Sequence, residues 1–105
     1  MEMGIAGQSV LITGASQGIG EGLARSFARE GCKVLLVARS AQKLDALARE
    51  LRSVYAVDVG VLALDMTGAG AIAEIVAFAR HADVLVNNVG AIPGGTLYRY
   101  DEDGY

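Results

Sequence analysis

Residues 10–20 constrain the fold more than any other stretch of the chain. An apolar run, Val10-Leu11-Ile12, leads into Thr13-Gly14-Ala15-Ser16-Gln17-Gly18-Ile19-Gly20, and a segment with helical spacing begins where that turn ends. Glycine tolerates positive φ and lets the main chain come close to a neighbour. The helix that follows leaves unpaired N–H groups and the positive end of its dipole at the turn, an arrangement suited to cradling a pyrophosphate. The spacing Gly-x-x-x-Gly-x-Gly differs from the Gly-x-Gly-x-x-Gly of the general dinucleotide fingerprint, so the glycines alone would also fit a tight strand-to-helix turn with no ligand. Context favours the cradle, because a second strand-like run, Lys33–Ala38, stands at the distance a βαβ unit requires.

The same alternation continues along the chain. Ser9–Thr13 reads as the first strand, and Ile19–Glu30 as a helix with Ile19, Leu23 and Phe27 on one face and Gly31 as its stop. Lys33–Ala38 is nearly continuous in apolar residues, as a buried parallel strand should be, and Ser40 suits the N-cap of a helix carrying Leu44, Leu47, Ala48 and Leu51. Val59–Asp65 reads as a third strand, weakened by Gly60. Ala71–Arg80 reads as a short helix with Ile72, Ile75, Val76 and Ala79 inward, and Val84–Asn87 as a fourth strand. Right-handed crossovers then require a parallel sheet, expected in the order 3-2-1-4, with the ligand crevice at the switch point between strands 1 and 4. Gly90–Thr96 is loop-like and Leu97–Tyr105 has no clear period, so the expected sheet stops after its fourth strand with an unpaired edge.

Length and charge narrow the functional classes. The 105 residues allow one domain at most, spanning 1–105, which is short for an enzyme that must hold both a dinucleotide and a substrate. Nine basic and twelve acidic residues are scattered singly, giving a net charge of −3 and no basic stripe for a nucleic-acid backbone. Apolar runs fall far short of the roughly 20 residues that span a bilayer. Met1-Glu2-Met3-Gly4 lacks the basic and apolar regions of a leader, so a cytoplasmic protein without membrane contact is expected. Cys32 is the only cysteine, which excludes an internal disulfide and suits a small buried hydrophobe. His81 is the only histidine, and no metal site is expected around it.

Three features coincide: the Thr13–Gly20 turn after strand 1, Asp65 at the end of strand 3, and Asn87-Asn88-Val89-Gly90 at the end of strand 4. Together they resemble the short-chain dehydrogenase/reductase family. The resemblance runs over nearly the whole chain but covers only the N-terminal, cofactor-binding half of such an enzyme, and Val89 stands where the family usually has Ala. It implies an α/β fold with a Rossmann-type parallel sheet, truncated after the fourth strand. It also implies that Gly14, Ser16, Gln17, Gly18, Ile19 and Gly20 hold the pyrophosphate, and that Asp65, with Met66 beside it, contacts the adenine. Asn87, Asn88, Val89 and Gly90 would brace the central sheet next to the cofactor. The side chains suit these roles, since a carboxylate accepts from an exocyclic amine and Asn satisfies backbone groups where strands end. Asp65 would equally suit a cap for the following helix, and the Asn pair ordinary turn positions.

The residues after strand 2 bear on the choice of nicotinamide cofactor. Sites that select NAD place an acidic residue there for the ribose 2′-hydroxyl, whereas a basic residue accommodates the 2′-phosphate of NADP. Here Ala38 occupies the acidic place and Arg39-Ser40 follows, an arginine fork and a hydroxyl suited to a phosphate monoester. NADP(H) is therefore expected over NAD(H). Gln17 brings no second positive charge, and the alternative for Arg39 is a solvated surface residue of little energetic weight.

The family's catalytic Tyr-x-x-x-Lys is absent from the chain. The lysines are Lys33 and Lys43, the residues four after Tyr55, Tyr98 and Tyr100 are Val59, Glu102 and Gly104, and Tyr105 is the last residue. No catalytic residue is assigned. The four tyrosines otherwise suit packing and interface area, and Tyr98, Tyr100 and Tyr105 resemble part of the start of the family's next helix. The resemblance thus implies the cofactor-binding half of an NAD(P)-dependent oxidoreductase acting on a small carbonyl compound or secondary alcohol. Two other readings fit the same residues: a non-catalytic nucleotide-binding or interaction module, and a Rossmann-like domain for a nucleoside-containing methyl donor. Apolar strand residues such as Leu85, lacking helical cover, are expected to drive self-association or homo-oligomer formation.

Overall fold

Every residue from Val34 to Ala38 is buried, so this strand needs cover on both faces and neighbours on both sides. The computed structural model describes residues 6–15, 18–65, 68–87 and 96–99. In it, β1 (Ser9–Thr13), β2 (Lys33–Ala38), β3 (Val59–Ala63) and β4 (Val84–Asn87) form a parallel sheet in the expected order β3-β2-β1-β4. Register aligns Val10 with Val34 and Val84, and Ile12 with Leu36 and Val86. These residues share one face of the sheet, while Leu11, Leu35 and Val37 occupy the other.

The two faces are covered by different helices because the chain reverses direction across the sheet. The steps from β1 to β2 to β3 run one way, and right-handed crossovers put α1 (Gly18–Arg29) and α2 (Ala41–Tyr55) on the same face. The step from β3 back to β4 puts α3 (Ala71–Phe78) on the opposite face, against Leu11, Leu35 and Val37. Among the described residues, no helix is long and apolar enough to cross a membrane.

Helix α1 departs from the expected packing. Its buried residues are Gly20, Ala24 and Ala28, a stripe of small side chains that brings the helix backbone close to the sheet. Leu23 and Phe27 pack at the side of this stripe, whereas Ile19 is 57% exposed and does not belong to the inward face. Apolar periodicity marked the larger side chains, but close approach selects the smaller ones.

Helix α3 ends at Phe78 rather than Arg80, and it is turned from the expected orientation. Ala71, Ile75, Phe78 and Ala79 lie toward the sheet, while Ile72 and Val76, expected inward, are 79% and 64% exposed. Seven of the eight residues of AIAEIVAF are apolar, so periodicity could not specify which side faces the core. Gly60 explains the phenylalanine's position: a Cβ there would stand 3.0 Å from Leu35 Cδ2 and 3.4 Å from Phe78 Cζ. The residue that weakened the third strand in the sequence is the one that lets α3 lie on it. A groove of about 390 Å³, lined by residues including Leu11, Ile75, Val84 and Leu85, leaves apolar surface on this face, as the uncovered strand residues led one to expect.

A fifth strand, β5 (Thr96–Arg99), pairs antiparallel with β4 and aligns Val84 with Arg99 and Asn87 with Thr96. This strand replaces the loop and helix start expected at these residues and pairs the β4 edge expected to be open. The segment Thr-Leu-Tyr-Arg has β-prone residues but is too short to show a period of two, and an edge of unpaired N–H and C=O groups favours such a segment as a partner. Val59–Ala63 is also shorter than the expected third strand, although Leu64 N–H still donates to Ala38 O at 2.8 Å. Cys32 is buried as expected, and burial, with the charge of Glu30 adding to it, pushes its thiol pKa up.

The close seat of α1 yields a test. Ala24→Leu should force the helix off the sheet and cost about 1–3 kcal/mol, the usual penalty for overpacking, read as a lower midpoint in chemical denaturation.

Candidate functional site

All four parallel strands end at the same edge of the sheet, where β1 is followed by Gly14 and Ala15, β2 by Arg39 and Ser40, and β3 by Leu64 and Asp65, while β4 ends in Asn87. Helices α1 and α2 cover one face and α3, which leads into β4, covers the other, so the neighbouring ends of β1 and β4 form the topological switch point of the sheet. Thr13 fixes this point. It is 3% exposed, and its Oγ1 donates to Val86 O at 3.4 Å, tying the ends of β1 and β4 together.

Gly14 bends the chain over the end of β2. Its φ is 67°, in the left-handed region, and its N–H donates to Val37 O at 2.8 Å, while Ala15 N–H donates to the same oxygen at 3.2 Å. Gly18 opens α1 with φ of 60°, and a Cβ placed there would meet nothing within 4 Å among the described residues. The start of α1 is thus approachable by a ligand at the N–H groups that the helix leaves unpaired. Exposed Ile19 flanks this opening, while Gly20 is buried against the sheet. Ser16, Gln17, Met66, Asn88, Val89 and Gly90 lie outside the described residues.

Arg39 is exposed, and among the described residues its guanidinium has no hydrogen-bond or ion-pair partner. Ser40 is the N-cap of α2, as expected, with its Oγ accepting from Lys43 N–H at 3.2 Å. A hydroxyl that accepts in this way keeps its own proton to donate. Asp65 is exposed, and its carbonyl accepts from Gly68 N–H at 3.0 Å in the turn before α3. The N-cap of that helix is Gly70, so Asp65 does not cap it.

A cross-helix ion pair holds the two helices whose N-termini face this edge. Arg25 of α1 donates from Nη1 to Glu50 Oε2 at 2.5 Å and from Nη2 to Glu50 Oε1 at 3.0 Å, a bidentate contact with α2. Its Nη2 also donates to Glu21 Oε2 at 2.8 Å. The hydrogen bonds to Glu50 and Glu21 hold the Arg25 pKa above its ordinary value, and the bond from Arg25 holds that of Glu50 below the usual carboxylate range. Sequence reasoning missed this clamp. The Glu21–Arg25 spacing was legible as an i,i+4 pair, but nothing local marks a partner 25 residues away.

The family model for short chain dehydrogenases matches residues 8–104. The chain belongs to the short chain dehydrogenase family. Among curated relatives it is 42% identical over 96 residues to a dehydrogenase/reductase SDR family protein 7-like of Drosophila melanogaster, covering 82% of this chain and 28% of that one. The L-sorbose reductase of Gluconobacter frateurii, solved with NADPH and L-sorbose, is similar with a TM-score of 0.81 and 40% identity, over 87% of this chain and 36% of that one. A short-chain dehydrogenase from Sphingobium yanoikuyae in complex with NADPH gives a TM-score of 0.75 at 43% identity, over 79% of this chain and 34% of that one. The chain therefore spans roughly a third of the length of these family members.

The clamp predicts a pH dependence. Glu50 has a lowered pKa in the folded chain, so its contribution to stability is present above the ordinary value of 4.5 and is lost as pH falls through the lowered one. Glu50→Gln should therefore melt below the unmodified chain near neutral pH, and the two melting curves should converge in acid.

Proposed function

We propose that this chain is the cofactor-binding part of an NAD(P)-dependent oxidoreductase that interconverts a carbonyl compound and a secondary alcohol, with NADP(H) preferred. The observation that carries the reading is Gly18, a left-handed glycine at the start of α1 where an added Cβ would meet nothing within 4 Å among the described residues. That geometry fits a pyrophosphate, whose charge the helix N-terminus favours and whose close approach a side chain would hinder.

In this reading Gly14, Ser16, Gln17, Gly18, Ile19 and Gly20 hold the pyrophosphate. Asp65, with Met66 beside it, contacts the adenine, and Asn87, Asn88, Val89 and Gly90 brace the central sheet next to the cofactor. The buried Thr13 hydroxyl, donating to Val86 O, ties the ends of β1 and β4 together. Bound nicotinamide supplies the hydride chemistry. No residue of the chain is assigned the proton transfer, and none supplies a Tyr-x-x-x-Lys pair.

The NADP preference rests on the end of β2. Arg39 is exposed and has no partner among the described residues, and Ser40 retains a hydroxyl proton to donate beside it. Ala38 leaves that position without the carboxylate that would repel a phosphate. Support for a carbonyl substrate comes from relatives named as reductases, including the L-sorbose reductase and a very-long-chain 3-oxoacyl-CoA reductase of Meyerozyma guilliermondii at 47% identity.

Arg39→Ala tests the preference. Loss of a charge-assisted hydrogen bond, about 1.5–3 kcal/mol, should weaken NADPH binding about tenfold or more while sparing NADH. Equal losses for both cofactors in a calorimetric titration would contradict it.

A further inference from the structure

Ser40-Ala41-Gln42-Lys43 opens α2 with half of a capping box. Ser40 accepts from Lys43 N–H at 3.2 Å, which places Lys43 at the third helical position, where a Glu or Gln would reach back to the cap. The chain has a lysine there instead, and no acidic residue in the first turn. A cation so near the positive end of a helix dipole is unfavourable for the helix by itself. Lys43 is exposed, and among the described residues its ammonium has no hydrogen-bond or ion-pair partner to offset that cost. Places where a sequence breaks a local rule without visible compensation are expected to be functional.

Lys43 also stands beside the groups already assigned to an anion. Its backbone N–H donates to the Ser40 hydroxyl oxygen, which sets Lys43 in the first turn of α2, close in sequence and space to the Arg39–Ser40 segment. Resting on the NADP(H) reading above, we propose that Lys43 is a specificity-determining residue that supplies the second positive charge to the 2′-phosphate. Arg39 provides the planar fork, Ser40 the hydroxyl donor, and Lys43 the mobile point charge. Gln17 in the glycine turn carries no charge, so the second cation is one that α2 supplies.

The test uses Lys43→Gln, which removes the charge and completes the capping box. Its melting temperature should equal or exceed that of the unmodified chain, while NADPH binding weakens about fivefold, the size of one exposed charge-assisted contact, and NADH binding stays within about twofold. Lys43→Arg should restore NADPH affinity. Unchanged NADPH binding, or an equal loss for NADH, would overturn the role of Lys43 while leaving the Arg39→Ala result to stand by itself. Failure of the unmodified chain to bind either cofactor would overturn the cofactor reading, and this inference with it.

Discussion

Everything at the candidate site depends on β1 being buried between two parallel neighbours. Val10 and Ile12 are fully buried and aligned with partners on β2 and β4, so the strand cannot shift without exposing both. Burial also dictates what happens at its end. A chain leaving a central strand must satisfy its backbone groups within a crowded edge, and Gly14 and Ala15 do so by donating to the Val37 carbonyl. The small stripe Gly20, Ala24 and Ala28 seats α1 against the sheet, with its start at this same edge.

The second half of the site is built on a different helix but held by the same logic. Ser40 starts α2 just beyond the end of β2, and the Arg25–Glu50 pair joins α2 to α1. Partly exposed ion pairs contribute little stability, so the value of this one lies in orientation. It keeps two helix N-termini, one suited to a pyrophosphate and one lined by Arg39, Ser40 and Lys43, facing the same edge of the sheet.

The parallel strands and their order were legible because their apolar runs are long and separated by helical segments. The glycine turn was legible because left-handed backbone leaves a compositional mark, and Ser40 was legible as a cap because its side-chain chemistry is local. What escaped was whatever depended on distance or on shape. Ile19 falls on the helical period of Leu23 and Phe27, yet it is exposed because close packing of α1 rewards alanine and glycine. Ile72 and Val76 turn outward on a helix whose nearly uniform apolarity carries no directional information. β5 was invisible because four residues cannot establish a period and its pairing depends on the β4 edge.

If the carboxyl ends of β1, β2 and β3 form one nucleotide-binding edge, amide chemical shifts of the isotopically labelled chain should show it as NADPH is added. Saturable changes are expected at Gly14, Gly18–Gly20, Arg39–Lys43 and Asp65. Changes confined to the opposite end of the sheet, around Lys33, Asp58 and Phe78, or no saturable change at any amide, would contradict it.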